Sequence, residues 1–414
     1  MNFVPYAVPV FIALILLELC WGWIKGNNTY RVNDSINSLS LGMVSQTSKL
    51  IFLNIGYLVF VQVGQDYSLG FFDSQRISHW IIGLLLYDFL YYWSHRISHE
   101  RQFFWASHVV HHQSEDFNLS TALRQTSTSF IATWLFYIPC FLLGMPISMF
   151  VSIASAQLIY QFWVHSEHIP KLGAIEWLFV TPSNHRVHHA QNADYVDKNY
   201  GGLLIIWDRL FGTFKEENPD QPAMYGIRTP LNSFNPLWAN LHIYVGMVRD
   251  AWHTKSWRDK AKVLWARTGW RPEDTALKFP QIKTDLVHFE KYNPQLSRIS
   301  NLLVVVQYLM VAAIHFWTSL QVVTGPYGLI LGASLVQIAS LMIIGAVLDG
   351  RSYARALETL RCVAVILILY LGFNAGLINH TGLSIGILYA LVSASLMQAI
   401  IRRENSSAAT AMAG

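Results

Sequence analysis

The stretch that decides the fold is HRISHERQFFWASHVVHH, residues 95–112, which directly follows an apolar run. It contains one HxxxH and one HxxHH pattern, and a second HxxHH pattern, HRVHH, stands at residues 185–189. Residues three and four positions apart share one face of a helix. Each pattern can therefore direct two or three imidazoles to one place without breaking backbone hydrogen bonds. The sequence thus predicts helices that carry a site for several metal ions.

The composition is that of a membrane protein. Of 414 residues, 53% are hydrophobic and 13% are charged, and the mean hydropathy is +0.31. The net charge of +4 is mild and no basic patch with interleaved aromatic residues stands out, so nucleic acid is not expected as a partner. The cysteines lie in apolar segments without CxxC pairing, which argues against a disulfide framework or a cysteine zinc site. Any metal ion must then be held by nitrogen and oxygen ligands. The three cysteines are Cys20, Cys140 and Cys362.

Seven apolar runs are long enough to cross a hydrocarbon core of about 30 Å. An eighth stretch, residues 129–164, is interrupted by Gly144-Met145-Pro146 and predicts a hairpin of two shorter helices. We therefore predict an all-α integral membrane protein, a multi-span helical bundle with a cytoplasmic, histidine-rich di-metal cap. The seven runs are residues 3–24, 42–64, 78–94, 300–320, 326–347, 361–378 and 382–400.

Loop charges predict the orientation, because short cytoplasmic loops are enriched in lysine and arginine. The loops at residues 318–327 and 379–382 carry no charge and are predicted to lie outside, which places both histidine-rich regions on the cytoplasmic face. The first apolar run lacks a preceding basic region, so we expect a retained membrane helix instead of a signal peptide. The charges that mark the inner side are Lys25, Arg31, Lys49, Arg351, Arg355, Arg361, Arg402 and Arg403.

Polarity and hydropathy divide the chain into five segments. We expect N-terminal membrane helices over residues 1–77, a catalytic core with the hairpin over 78–220 and a polar cytoplasmic cap over 221–299. C-terminal membrane helices over 300–402 and a disordered tail over 403–414 complete the chain.

Ten of the sixteen histidines fall in four clusters, the fourth being His165 and His168. Neutral imidazole is the commonest side-chain metal ligand, and imidazoles packed together without metal or carboxylate leave ring nitrogens short of partners. A single zinc ion takes three or four protein ligands, so eight to ten histidines imply two metal ions. The kind of metal stays open at this point, because imidazole suits zinc, copper, iron and nickel alike.

Other metalloproteins fit the pattern less well. A zinc peptidase needs HExxH, and His99-Glu100 is followed by Arg-Gln-Phe. A metal transporter should place its ionisable groups along a pathway within discontinuous helices, whereas these clusters stand at the membrane-proximal ends of helices. A membrane metal transporter or sensor is retained as the alternative from another class.

Acidic and phenolic side chains adjoin the clusters. Asp88 and Tyr92 fall on the same helical stripe as His95 and His99, and we predict that Asp88 accepts a hydrogen bond that orients a ligand imidazole. Glu100 and Glu167 follow clustered histidines closely, and either could support or bridge the metal ions. We count these four residues as candidate catalytic residues. They are Asp88, Tyr92, Glu100 and Glu167.

The motifs HRISH, HVVHH and HRVHH and their spacing resemble the fatty acid hydroxylase and sterol desaturase superfamily of membrane di-iron oxygenases. A closer likeness is to its alkylglycerol monooxygenase branch, and it covers roughly residues 75–220. The runs that carry it are WASHVVHHQSEDFNLSTALRQ, QFWVHSEHIPKLG and TPSNHRVHHAQNADYVDKNYGGLLIIWDRLFGTF.

This resemblance implies a monooxygenase with two iron ions that inserts one atom of O2 into a C–H bond of a membrane lipid. In the alkylglycerol branch the attacked carbon adjoins the ether oxygen, and the products are a fatty aldehyde and a glycerol derivative. Sterol, fatty acid or carotenoid hydroxylation or desaturation is the nearest rival. The implied ligands are His95, His99, His108, His111, His112, His185, His188 and His189, with His165 as a ninth and His168 as a tenth.

The resemblance also implies tetrahydrobiopterin as the reductant. No pattern of a fused cytochrome b5 or flavin domain is present, and no GxGxxG opens a strand-turn-helix unit. We therefore expect a separate electron donor, either the pterin or a redox protein. Assembly into an oligomer is left open.

Overall fold

The computed structural model describes residues 3–51, 55–321, 327–374, 376 and 378–413. Its regular elements are helices, with no strand longer than an isolated bridge among the described residues, and the predicted all-α membrane class is confirmed. Short 3-10 helices cover Ser129–Ile131, Thr133–Tyr137 and Gly173–Trp177. The α-helices are α1 (Val4–Ile24), α2 (Val32–Ile51), α3 (Ile55–Asp66), α4 (Ile77–Glu100), α5 (Gln102–His112), α6 (Leu119–Ala122), α7 (Ile138–Leu142), α8 (Ile147–Trp163), α9 (Pro182–His189), α10 (Ile206–Leu210), α11 (Pro236–His253), α12 (Trp257–Trp265), α13 (Glu273–Lys278), α14 (Arg298–Gln321), α15 (Tyr327–Leu348), α16 (Ala354–Asn374) and α17 (His380–Ala413).

Five helices of the described residues are long and apolar enough to cross a membrane, and each overlaps one of the predicted spans. The predicted span over 42–64 includes residues 52–54, which lie outside the described residues. The predicted span over 78–94 forms most of α4, but α4 is not among the five because polar and aromatic residues lower its hydropathy. The five segments are Val4–Ile24, Arg298–Leu320, Ile330–Leu348, Ala354–Asn374 and His380–Ile400.

The interruption predicted at residues 144–146 separates two shorter apolar helical segments, Thr133–Leu142 and Ile147–Trp163. Gly144 has a φ of +85°, and a Cβ atom there would lie 2.6 Å from the Ser68 hydroxyl oxygen. Only glycine accommodates both the left-handed backbone and the close approach. The turn thus allows α8 to begin directly after Pro146.

The chain forms two compact units. The first, which we call the histidine unit, contains residues 1–31, 54–231 and 240–290. The second, the C-terminal bundle, contains residues 32–53, 232–239 and 291–414, so that α2 belongs with the C-terminal helices. The five segments predicted from polarity and hydropathy were drawn on other grounds, and they stay a prediction.

Three short structural features position the histidine patterns within the histidine unit. Extended backbone at Arg101, with φ −126° and ψ 126°, ends α4 and begins α5. The amide of Gln102 donates to the Ala266 carbonyl at 3.0 Å, which braces this junction. At α9, Thr181 and Asn184 form a capping box, and Pro182 occupies the first turn. An eight-residue helix can therefore hold three buried histidines in place.

Candidate metal centre

Nine of the ten clustered histidines converge in two groups. Within each group, one ring nitrogen from every histidine lies within 4.8 Å of the others. No carboxylate or thiolate belongs to either group in the described part of the chain. Group A consists of His95, His99, His108, His112 and His188, and group B consists of His111, His165, His185 and His189.

Each HxxHH pattern contributes to both groups. In α5 the outer histidines, His108 and His112, belong to group A, while His111 belongs to group B. In α9 the arrangement is reversed, since the outer pair joins group B and His188 joins group A. Positions three and four residues on from one histidine point about 100° apart around a helix, so one turn can serve two neighbouring ions.

The ring nitrogens have the spacing of metal ligands. In group A, His108 Nε2 lies 3.0 Å from His95 Nε2 and 3.1 Å from His112 Nε2. In group B, His185 Nε2 lies 3.0 Å from His165 Nε2, which is 3.3 Å from His111 Nε2. Ligand nitrogens about 2.0–2.1 Å from one ion lie about 3 Å apart. The two groups adjoin, because the rings of His112 and His189 stack with centroids 4.3 Å apart.

Protein partners do not satisfy all of these nitrogens. The Nε2 atoms of His99 and His188 are buried and have no hydrogen-bond partner. A neutral imidazole offers one donor and one acceptor nitrogen, and a buried polar atom without a partner is costly. The nitrogen-only donor set, its spacing and its unpaired atoms fit two metal ions that imidazole ligands prefer, such as iron.

The opposite ring nitrogens face backbone carbonyl groups. His95 Nδ1 lies 2.8 Å from the Tyr200 carbonyl oxygen, and His188 Nδ1 lies 3.0 Å from that of Lys198. In group B, His111 and His165 face the carbonyl groups of Arg124 and Gln161 at 3.0 and 2.8 Å. An Nδ1–H that donates to a carbonyl leaves Nε2 with its lone pair toward the metal and fixes the ring orientation.

Burial keeps these imidazoles neutral. It lowers the pKa of His95 to about 3 and that of His111 to about 4. The pKa values of His99, His188 and His189 lie well below the ordinary value, first because of burial and then because neighbouring histidines would repel a second charge. At neutral pH the histidines of both groups therefore present nitrogen lone pairs and carry no positive charge.

The structure does not bring His168 into either group. Its Nε2 atom is buried without a hydrogen-bond partner and lies 3.2 Å from the position that a Cβ atom of Gly22 would occupy. His168 therefore faces α1, three residues beyond the histidine that does belong to group B. The resemblance made it a tenth ligand, and its position does not support that role.

Asp88 has different partners from those predicted. Its carboxylate accepts hydrogen bonds from the Leu203 and Leu204 amides at 2.9 and 3.1 Å and from the Trp207 indole at 2.8 Å. The predicted bond to a ligand imidazole is therefore wrong, because groups of residues 203–207 donate to both carboxylate oxygens. Asp88 holds residues 203 and 204 of the loop whose Tyr200 carbonyl faces His95. It therefore supports the orientation of His95 indirectly.

Tyr92 and Glu100 lie beside group A without touching its ring nitrogens. The Tyr92 hydroxyl group lies 2.9 Å from Thr213 Oγ1 and accepts a bond from Arg96 at 3.2 Å. Arg96 also donates to Glu100 at 2.9 Å. Both Arg96 and Glu100 line a polar cavity of about 460 Å³. Its lining residues are Arg96, Glu100, Asp197, Lys198, Phe211, Gly212, Thr213, Arg267 and Thr268.

Glu167 is exposed and interacts with Tyr225 and Arg186. The ring of Tyr225 stacks on Phe117 at 4.8 Å, and Phe117 packs against His165 at 5.5 Å. The rings of Tyr225 and Phe117 thus lie between the Glu167 carboxylate and His165. The predicted catalytic role of Glu167 stays a prediction.

Several contacts that shape the site were not predicted from the sequence. The Asp208 carboxylate accepts bonds from the amides of Tyr200 and Gly201, both at 2.7 Å. Asp197 Oδ1 lies 4.0 Å from His99 Nδ1. The backbone of Asp197 has a φ of 60°. The run NYGG offered a signal, since paired glycines often mark close backbone approach. A Cβ atom on Gly202 would lie 2.1 Å from Gln157 Nε2.

Comparison with known proteins places the chain in a family. Residues 80–213 match the fatty acid hydroxylase family. The chain is 35% identical over 395 residues to the alkylglycerol monooxygenase of Homo sapiens, a match that covers 94% of this chain and 87% of that protein. It is 36% identical to the Danio rerio alkylglycerol monooxygenase over 380 residues, 90% of this chain and 83% of that protein. This chain belongs to the alkylglycerol monooxygenase family.

Membership confirms the resemblance that the histidine motifs predicted, and the class of enzyme with it. The protein is an integral membrane, O2-dependent lipid monooxygenase with a metal centre, which in this family is iron. A narrower likeness, 31% identity over 144 residues, links it to the ornithine lipid hydroxylase OlsE of Rhizobium tropici. That match covers 34% of this chain and 43% of OlsE. No solved structure matches the chain.

Proposed function

We propose that the chain holds two iron ions in groups A and B and hydroxylates the carbon next to the ether oxygen of an alkylglycerol. The observation that carries this proposal is the convergence of nine imidazoles, seven buried and two half-buried, in two adjoining groups. The substrate comes from the relatives named alkylglycerol monooxygenase, which match over more than four-fifths of their length. The adjacent ether oxygen weakens the attacked C–H bond, which favours this carbon.

The reaction balances with O2, two electrons and two protons. One oxygen atom enters the C–H bond as a hydroxyl group and the other leaves as water. The resulting hemiacetal breaks at its bond to the glycerol oxygen, which takes up the hydroxyl proton. The products are a fatty aldehyde and a glycerol derivative. Iron, when bound, supplies the oxidising power that the C–H bond requires.

The protein contributes orientation and exclusion of water. Backbone carbonyl groups hold His95, His111, His165 and His188 with their Nε2 atoms toward the ions. The aromatic rings of Trp105 and Phe117 cover the two groups, at 5.2 Å from His99 and 5.2 Å from His189. Such a dry environment protects a strong oxidant from side reactions.

An apolar groove of about 320 Å³ is the place that we assign to the alkyl chain. Leu84 on α4 lines it and lies three helical turns before His95 on the same face, a rise of about 16 Å. One leaflet of the hydrocarbon core is about 15 Å deep, so a chain that ends in the groove can place its first carbon near the ions. Ala156→Trp should fill the groove and lower turnover of long-chain substrates more than of short-chain ones. The groove is lined by Phe3, Trp80, Ile81, Leu84, Ser152, Ile153 and Ala156.

The electron donor is assigned to the polar cavity beside Glu100. Asp197 lines the cavity, and its Oδ1 lies 4.0 Å from His99 Nδ1. A small polar molecule in the cavity would therefore lie close to group A without displacing the lipid. Tetrahydrobiopterin is the donor that we propose, with a separate redox protein as the other source of electrons. Arg351, between α15 and α16, and Arg355, in the first turn of α16, support a cytoplasmic position for this site.

The test is an assay of the purified protein with a long-chain alkylglycerol, tetrahydrobiopterin and 18O2. The aldehyde is trapped as it forms by reduction to the alcohol. We expect the alcohol to carry one 18O atom, because the new hydroxyl oxygen becomes the aldehyde oxygen. The ester-linked monoacylglycerol of the same chain length is the matched control, and it should give no aldehyde.

Two results would contradict the proposal. Turnover of an ornithine lipid, a sterol or a fatty acid but not of the alkylglycerol would keep the oxygenase and replace the substrate. Reversible metal exchange by a protein that consumes no O2 with any of these lipids would favour a transporter or sensor.

A further inference from the structure

An acidic side chain is buried on the first membrane-spanning helix. Glu18 on α1 is 8% exposed, and its two carboxylate oxygens accept three hydrogen bonds. The donors are the Tyr30 hydroxyl at 2.5 Å, the Ser166 hydroxyl at 2.5 Å and the Leu119 amide at 2.8 Å. A carboxylate within a membrane helix is expensive and is kept where its partners give it a role.

One of these partners adjoins a member of group B. Ser166 directly follows His165, which is the only histidine of group B that lies outside α5 and α9. His165 stands in the segment after α8, where its Nε2 lies 3.0 Å from His185 Nε2. The position of this nitrogen depends on how firmly that segment is held.

The same segment is fixed from its other side by Arg186. This guanidinium donates to the Ser166 and Ile169 carbonyls at 3.0 and 2.8 Å and pairs with Glu217 at 2.7 Å. Arg186 therefore holds the backbone after His165, while Glu18 holds the side chain of Ser166. Between them they leave the segment little freedom to move.

We propose that Glu18 is a positioning residue for the second metal ion. By binding Ser166, it fixes His165 in group B, so that α1 takes part in building the metal centre in addition to crossing the membrane. Group A draws its five histidines from α4, α5 and α9, so the effect of Glu18 should fall on one ion of the two. This inference rests on the proposed binding of two iron ions.

The test compares two variants that each remove one hydroxyl donor from Glu18. Ser166→Ala removes the bond between Glu18 and the residue after His165, and with it the bond that the His168 amide donates to Ser166 Oγ at 3.2 Å. Tyr30→Phe removes a donor that is distant in sequence from every histidine of group B. Each purified, iron-loaded protein is mixed with excess bipyridyl, and the release of iron is followed by absorbance. Loss of a group that supports a ligand typically costs 10–100-fold in metal affinity.

We expect Ser166→Ala to release one iron about 10-fold faster or more, and the other at the rate of the unaltered protein. Tyr30→Phe should release both irons at the unaltered rate. Equal behaviour of the two variants, or faster release of both irons together, would overturn the inference.

Glu18→Leu gives a second measurement, since it leaves three buried donors unpaired but suits a membrane helix. We expect this variant to retain one iron per chain, and retention of two with unaltered release rates would overturn the inference. If it does not fold, the comparison of Ser166→Ala with Tyr30→Phe still decides. Fewer than two irons in the unaltered protein, which is measured first, would instead overturn the proposed function.

Discussion

The histidine unit and the C-terminal bundle both bury ionisable side chains, but they differ in whether those side chains have partners within the protein. In the bundle, the Arg361 guanidinium meets the Glu358 carboxylate through two bonds of 2.6 and 2.8 Å. It also donates to the hydroxyl groups of Ser340 and Tyr389, both at 3.2 Å. In the histidine unit nine imidazoles face one another, and some of their buried nitrogens have no partner.

The difference separates a structural network from a ligand site. A buried charge with matched charge and hydrogen-bond partners requires nothing further from outside the protein. Convergent lone pairs without partners are costly unless another group binds them. The Arg361 network therefore joins helices, and groups A and B are built to receive metal ions.

The largest expected effect is that of His188→Ala, which removes the one histidine that α9 contributes to group A. We expect turnover to fall by more than about a hundredfold, since even groups that support a ligand are worth 10–100-fold. Aldehyde formation and iron content measure the effect. His288→Ala, at an exposed histidine outside both groups, is the control and should change neither quantity. Full iron content and full activity in His188→Ala would show that group A is not a ligand site, and the difference between the two units would then not hold.

Acid should destabilise the metal-free protein through the same histidines. Their pKa values in the folded state, about 3 for His95 and about 4 for His111, lie below 6.5. The unfolded chain therefore takes up more protons below pH 6.5, and the free energy of unfolding falls as the pH falls from 6.5 toward 4. The slope is up to about 1.4 kcal/mol per pH unit for each such histidine, and above pH 7 their contribution is constant.

Melting temperatures of metal-free protein at pH 7.5, 6.5 and 5.5 measure this effect. We expect a drop in the first interval and a drop about three times as large in the second. His95→Leu, which removes one buried imidazole, should reduce the drop. A flat profile would show that the imidazoles are not held neutral by burial.

In the bundle, Arg361→Leu should destabilise the protein by about 3–5 kcal/mol, because it leaves the Glu358 carboxylate buried without its partner. The double variant with Glu358→Leu should recover most of that loss, since an apolar pair of similar volume is often tolerated. Denaturant unfolding measures both. Iron content should stay at the unaltered value in each variant, and loss of iron in the double variant would contradict a purely structural network.

The smallest expected effect is that of Gly202→Ala, which tests the loop that supports His95. The added Cβ atom would meet Gln157 Nε2 at 2.1 Å and the Tyr91 ring at 2.7 Å. Overpacking of this kind costs about 1–3 kcal/mol, and the shifted loop should weaken iron binding in group A. Gly246→Ala is the matched control, because a Cβ atom there would meet nothing within 4 Å beyond its chain neighbours and the backbone of its own helix. Similar iron affinity in both variants would show that the loop does not hold the ligand.

Much of this site was predictable because its ligands are rare residues at helical spacing. The patterns at residues 95–112 and 185–189 indicated two helical clusters and two ions. Their division between groups was not predictable, since it depends on how α5 and α9 are rotated toward each other. The sequence placed His165 and His168 in one cluster, with His165 as the ninth ligand and His168 as the tenth, and the structure brings only His165 into a group.

The supporting contacts were less accessible from the sequence. The carbonyl groups of Tyr200, Lys198 and Arg124 face the imidazoles, and every residue has a carbonyl group, so no residue type marks them. Asp88 was predicted to accept a hydrogen bond from a ligand imidazole. Its partners are amides of a loop more than a hundred residues away, which helical spacing does not reveal. The hydropathy pattern likewise did not show that α2 belongs to the C-terminal bundle.

The most direct test of the central claim is the number of iron ions that the purified protein retains after anaerobic loading and desalting. Two groups of converging imidazoles predict two ions per chain. One ion per chain, or none, in protein that is otherwise folded would contradict the account.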